Sequence, residues 1–329
     1  MWQSWRKLRE RSPHALLLKG SQGIGKLDFA MNLAQSLLCE QPKSDGFACG
    51  ECASCHWFAQ GTHPDFRLIQ PEILAESDED DDREGGKKKK PSRVVIVDQI
   101  RELADFVSLS AHQGGYRVAV IHPAEAMNAN SMNALLKTLE EPSGRNGSVL
   151  LVLVSHKPQR LLPTILSRCL SLSMPLPPVE ESIAWLKEQG VDDPERLLVQ
   201  TGFAPLSALA LAEQDSGEEY ARFMKEIASP ARLDALGLAE RLQGQEPATV
   251  VHWLQQWCYD LGSLKLGGEV RYNAALRDSI QKIAGKINAY DLLRYQRELM
   301  VARREAAHPL NTKLLFESLL LSYRQLASA

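Results

Sequence analysis

Two apolar runs constrain this chain more than any other feature. They are residues 117–122 (RVAVIH) and 148–156 (SVLLVLVSH), and a helix-length stretch, 124–141, lies between them. Both runs are apolar at consecutive rather than alternate positions, as strands buried on both faces are. A strand, a helix and a second such strand form the crossover unit of a parallel sheet. The segment 161–169 (LLPTILSRC) closes the unit and leads to a proline-marked boundary at 171–178 (SLSMPLPP).

Upstream, residues 15–20 (ALLLKG) read as another buried strand. It runs into GSQGIGKL at 20–27 and then a helix from Leu27 to about Cys39. A strand, a glycine-rich loop and a helix are the setting of a phosphate-binding loop, in which backbone N–H groups close around phosphate oxygens. Gly20, Gly23, Gly25 and Lys26 supply the GxxxxGK pattern. The next residue, Leu27, has no hydroxyl to coordinate Mg²⁺, whereas an active loop carries Ser or Thr there. Two readings stay open: a structural turn that packs a helix on a sheet, and weak binding of a nucleotide that is not hydrolysed.

Cys39 is followed by nine residues and then CGECASC, which places Cys49, Cys52 and Cys55 at two CxxC steps. Four thiolates suit a closed, structural Zn²⁺ site with no open position for substrate. An iron–sulfur cluster is the alternative, although its usual Cys-Pro run is absent. His56 and His63 are substitute ligands that four cysteines do not require. Cys169 and Cys258, alone in apolar surroundings, read as small buried residues.

Residues 2–14 form a basic amphipathic lead-in. Residues 75–93 hold an acidic block, Gly85-Gly86 and four consecutive lysines, a composition that cannot bury apolar surface. Order returns at 94–108, where Asp98 is placed to cap a helix. Beyond residue 178 the pattern is helical throughout. Trp253, Trp257 and Tyr259 read there as packing aromatics rather than a base-stacking platform. A formal net charge of −3 gives no bulk cationic grip on DNA. No run has the length of a membrane span or of a signal-peptide core, so a cytoplasmic protein is expected.

NALLKTLEEP (133–142), the strand after it and TILSRC (164–169) together resemble the ATPase core of the clamp-loader branch of the AAA+ superfamily. The likeness runs from about Leu16 to NTKLLFESLLLSY at 311–323 and includes QGTHPD (60–65) and VDQIREL (97–103). It implies an α/β P-loop-type (AAA+) domain with a zinc module, over 1–173. The module would lie at about 39–65 and a disordered insert at about 75–93. A small helical lid domain, 174–213, and an all-α C-terminal collar domain for oligomerisation, 214–329, would follow.

The resemblance also implies that Cys39, Cys49, Cys52 and Cys55 hold zinc. In active relatives the strand at 118–121 is followed by Asp and Glu; here His122 and Pro123 stand in those places, and Glu125 is the nearest carboxylate. The small domain of active relatives has an arginine where Pro205 stands here. Ser155 takes the place of a strand-end polar sensor. Arg168, which read alone is a cation at a helix C-terminus, becomes an arginine finger for the ATP site of a neighbouring subunit. The expected function is a non-hydrolysing clamp-loader subunit that joins gamma/tau ATPase subunits and a delta subunit. That complex would load a sliding clamp on primed DNA for the replicative polymerase. The alternatives are an active gamma-type AAA+ ATPase and a zinc-dependent DNA-binding protein.

Overall fold

The computed structural model describes residues 13–74, 91–109, 111–112, 115–140, 148–213, 217–305 and 311–328. Most of the basic lead-in and of the charged insert lies outside them. The chain divides into two units, Met1–Pro177 and Pro178–Ala329.

In the first unit, five strands are described: β1 (Ala15–Lys19), β2 (Phe66–Ile69), β3 (Tyr116–Ile121), β4 (Ser148–Ser155) and β5 (Leu170–Ser173). They form one parallel sheet in the order β2-β3-β4-β1-β5. The continuous apolar runs follow from burial on both faces. Leu17, Ala119, Ile121, Leu151 and Leu153 face a core shared with α3 (Val97–Ser108), α4 (Ala129–Glu140) and α5 (Pro163–Arg168). The opposite side is covered by α1 (Lys26–Leu38), and α2 (Ala53–Ala59) packs against α1. Helix α4 begins at Ala129, after a 3₁₀ turn at Ala124–Ala126, so the helix expected from residue 124 is broken at its start.

Asp98 does not cap α3. The helix starts at Val97, and Gln99 Oε1 accepts the Ile96 N–H at 3.0 Å, while Asp98 pairs with Arg101 at 3.0 Å. Val95 just before it bridges to Met127, and Ser131 Oγ donates to the Val95 carbonyl at 2.8 Å. These bonds tie the helix entry to the loop that leaves β3.

The second unit is helical. Helices α6 (Val179–Glu188), α7 (Pro194–Gln200) and α8 (Pro205–Glu213) enclose a small core of Leu186, Leu197, Leu198 and Ala208. A separate, larger core is built by α9 (Gly217–Ile227), α10 (Ala235–Arg241), α11 (Pro247–Lys265), α12 (Arg277–Lys286), α13 (Ala289–Glu305) and α14 (Thr312–Ser328). At its centre Trp257 Nε1 donates to Tyr323 Oη at 2.9 Å, and that hydroxyl donates to the Ile227 carbonyl at 2.7 Å. Trp253 packs edge-on against Tyr220. Tyr259 departs from the packing role expected of it: it is 46% exposed and meets Tyr272 edge-on. No helix among the described residues is long and apolar enough to cross a membrane.

Asp260 is fully buried on α11. It accepts the backbone N–H groups of Arg271, Tyr272 and Asn273, and the Asn273 side-chain amide, at 2.8–3.2 Å. Buried donors that lose their acceptor carry their full desolvation cost. Asp260→Ala is therefore expected to lower the unfolding free energy of the second unit by about 3 kcal/mol. Denaturant unfolding followed by the fluorescence of Trp253 and Trp257 measures this; an unchanged midpoint contradicts it.

Candidate functional site

Strands β1 and β4 run in parallel register, with Lys19 opposite Ser155. The glycine-rich loop therefore leaves the sheet beside the end of β4. Gly20 cannot be replaced without backbone movement, because a Cβ there would stand 2.5 Å from the Met174 carbonyl oxygen. Gly25 lies in the left-handed region at φ 82° and forms the N-cap of α1. The loop thus has the backbone of a phosphate cradle.

Its side chains serve other ends. Lys26 is 2% exposed, and its ammonium donates to the Ser21 carbonyl. Burial lowers its pKa to about 8, against the opposing pull of the Glu125 carboxylate. Leu27 presents an aliphatic side chain in the first turn of α1. His122 and Pro123 occupy the end of β3. Glu125, the one acidic substitute considered, is committed elsewhere: its Oε1 accepts the backbone N–H groups of His156 at 2.9 Å and Lys157 at 3.0 Å. A carboxylate capping two amides joins the ends of β3 and β4 and has one oxygen, Oε2, outside those bonds.

His156 escaped the sequence reading. Strand pairing brings its ring to 5.3 Å from that of His122, edge-on. Burial lowers both pKa values, that of His156 to about 4 with Lys26 adding to the effect. The pair is neutral at neutral pH and supplies none of the negative charge that holds Mg²⁺ in an active site.

The four cysteines converge. Cys39 ends α1, Cys49 sits in the following loop, Cys52 caps α2 and Cys55 lies one turn into it. Their Sγ atoms all lie within 4.8 Å of one another. Cys39 is 3.5 Å from Cys49 and 3.9 Å from Cys52, and Cys49 is 3.9 Å from Cys55. Four sulfurs bound tetrahedrally at about 2.3 Å stand about 3.8 Å apart, so the spacing fits a metal centre. Sulfurs joined in a disulfide would be about 2 Å apart. The amides of Glu51 and Cys52 point at Cys49 Sγ and bring its pKa down to about 6, whereas burial pushes Cys55 up to about 12. A divalent cation, when bound, would hold all four together as thiolates.

His63 is occupied by hydrogen bonds rather than placed among these sulfurs. Its Nδ1 accepts the Asp65 N–H at 3.0 Å, so Nε2 carries the proton and donates to Ser54 Oγ at 2.8 Å; Ser54 in turn donates to the Leu38 carbonyl at 2.6 Å. Asp65, also buried, accepts the His112 N–H and forms an ion pair with Arg117 Nε at 3.1 Å. This network ties the cysteine loop to β3. It resembles a Ser-His-Asp array in composition only, because the serine proton goes to a carbonyl and Asp65 meets the ring through its backbone N–H while its carboxylate serves His112 and Arg117.

Arg168 ends α5, and β5 follows it directly, with Leu170 opposite Leu16 at the start of β1. The phosphate loop leaves the other end of β1. Arg168 and Lys26 therefore lie at opposite ends of the strands, at the edge where β1 begins and the edge where it ends, separated by roughly 13 Å or more of strand. The guanidinium is partly exposed; Nη1 donates to the Thr164 carbonyl at 3.1 Å and Nη2 pairs with Glu140 at the end of α4. The helix-capping contact is thus present, and a carboxylate absent from the sequence reading accompanies it.

Comparisons with known proteins cover nearly the whole chain. A family described as "DNA polymerase III, delta subunit" matches residues 4–178, and one described as "DNA polymerase III, delta subunit, C terminal" matches 214–325. The DNA polymerase III subunit delta' of Pseudomonas aeruginosa is 37% identical over 99% of this chain and 97% of its own. The subunit of the same name from Escherichia coli is 29% identical over 74% of this chain and 68% of its own. The DNA polymerase III subunit tau of Salmonella typhimurium is 33% identical over 52% of this chain and 23% of its own.

Two outcomes follow from the geometry. Unfolding lets His156 take up a proton below its ordinary pKa of 6.5, which the fold resists down to about 4. Its contribution to stability is complete above pH 6.5 and is lost as pH falls through that window. His156→Asn, which keeps the backbone amide for Glu125, is expected to flatten the stability–pH slope there by up to one proton; an unchanged slope contradicts this. The second outcome concerns the thiols: the purified chain is expected to hold one metal ion per chain, and Cys52→Ser to abolish stoichiometric metal. Elemental analysis showing no metal in the parent chain would contradict the fit.

Proposed function

The chain belongs to the DNA polymerase III delta-prime family, and on that basis we propose that it is a non-hydrolysing clamp-loader subunit that lends Arg168 to a neighbour's ATP site. It assembles with gamma/tau ATPase subunits and the delta subunit, and the complex places the sliding clamp on primed DNA. Polymerase activity attaches to this chain only by association with the holoenzyme. Residues 174–213 act as the small lid domain and 214–329 as the helical collar domain. Zinc is the metal of Cys39, Cys49, Cys52 and Cys55; when bound, it supplies a structural cross-link between the loop and the start of α2.

The observation that carries this reading is the position of Arg168 at the sheet edge away from its own phosphate loop. A guanidinium there has no route to a nucleotide held by Gly20, Gly23, Gly25 and Lys26, but it is open to a second molecule. Arginine suits the task because it keeps its charge and offers a planar fork of donors to phosphoryl oxygens. Leu27, His122 and Pro123 agree with the other half of the proposal, since none offers the oxygen ligand or base that hydrolysis requires.

The test is DNA-stimulated ATP turnover by the reconstituted clamp-loader complex. An arginine finger contributes about a thousandfold or more at the site it serves. Arg168→Ala is therefore expected to remove that site's entire share of turnover, and Arg168→Lys not to restore it. Full turnover with Arg168→Ala would leave the arginine as a helix cap and overturn the proposal.

A further inference from the structure

We infer that Glu140 is the positioning residue for Arg168; this rests on the finger reading above and adds the group that aims the finger. An arginine side chain has four rotatable bonds. Stabilising a transferring phosphoryl group requires its fork to be held in one direction before the group arrives. Two anchors do this here. The Thr164 carbonyl, one turn back on α5, takes an N–H from Nη1, and the Glu140 carboxylate, on a different helix, takes one from Nη2.

The two anchors differ in what they fix. Thr164 belongs to the same helix as Arg168 and sets only how far the side chain folds back along α5. Glu140 is the last residue of α4, inside the β3–α4–β4 crossover, so it refers the guanidinium to the sheet itself. A guanidinium has five N–H donors, of which these two bonds use two. The others can meet phosphoryl oxygens while both anchors stay in place.

The pair is of little use as cement. Glu140 and Arg168 keep 50% and 35% of their side-chain surface exposed, and ion pairs in such surroundings add almost nothing to stability. The same exposure leaves the fork accessible to a partner subunit. A contact that holds a direction without holding the fold is what a positioning role requires.

Glu140→Ala and Glu140→Gln separate this role from a structural one in the reconstituted complex. Glu140→Ala is expected to lower the Arg168-dependent share of kcat roughly tenfold, within the hundredfold that an ångström of misplacement can cost. KM for ATP should be unchanged, because ATP is bound by the neighbouring subunit, and the thermal unfolding midpoint of this chain should not move. Glu140→Gln retains an acceptor of the same reach and should recover most of the loss. With Arg168→Ala already present, Glu140→Ala should have no further effect. If Arg168→Ala lowers turnover and Glu140→Ala does not, or raises it, the positioning role falls and the finger stands. Additive losses in the double variant also overturn it. If Arg168→Ala itself changes nothing, finger and positioning role fall together.

Discussion

The parallel pairing of β1 with β4 is the contact on which the rest of the first unit depends. Both strands are buried on both faces, so a one-residue slip would present every side chain to the wrong helix layer. With Lys19 fixed opposite Ser155, the glycine-rich loop, Glu125, His122 and His156 gather at one edge of the sheet. The same register, continued to β5, sends Arg168 and Glu140 to the other edge. One hydrophobic constraint thus separates the phosphate loop from the arginine.

At the edge that holds the glycine-rich loop, the side chains are engaged with neighbouring backbone. Lys26 is turned onto the Ser21 carbonyl, and Glu125 spends one carboxylate oxygen on two amides. Two neutral imidazoles stand where negative charge would gather a metal ion. Glu125 joins the ends of β3 and β4, and the Lys26 ammonium closes the glycine-rich loop onto its own backbone. The cysteine centre extends this toward α2, and the Ser54–His63–Asp65–Arg117 network carries it on to β3.

Much of this was legible in the chain itself, for reasons specific to each element. Continuous apolar runs mark β1, β3 and β4, the central strands buried on both faces, whereas β5 alternates with exposed serines and lies partly in the segment read as a boundary; CxxC spacing marks the cysteine cluster because the turn between the thiols is local. Leu27 could be judged without a structure, since a missing hydroxyl is missing in any fold. Contacts between distant residues were not legible. Glu140 and Arg168 stand 28 positions apart, and nothing in the sequence between them signals that they meet. His156 gained meaning only from β3–β4 pairing, and His63 was open as a ligand until Ser54 and the Asp65 amide took both ring nitrogens. Asp98 misled because a good capping residue stood one position inside a helix that Gln99 caps instead. Tyr259 misled because its aromatic neighbours Trp253 and Trp257 lie on the buried face of α11, and it does not.

On the function proposed above, this chain's own glycine-rich loop has no hydrolytic chemistry. The most direct measurement is single-turnover hydrolysis of radiolabelled ATP by the isolated full-length chain with Mg²⁺, at chain concentrations in excess of nucleotide. No phosphate release above the buffer blank is expected, with or without primed DNA. Release that disappears on Lys26→Ala would contradict it, because Leu27, His122 and Pro123 would then have working substitutes at that edge of the sheet.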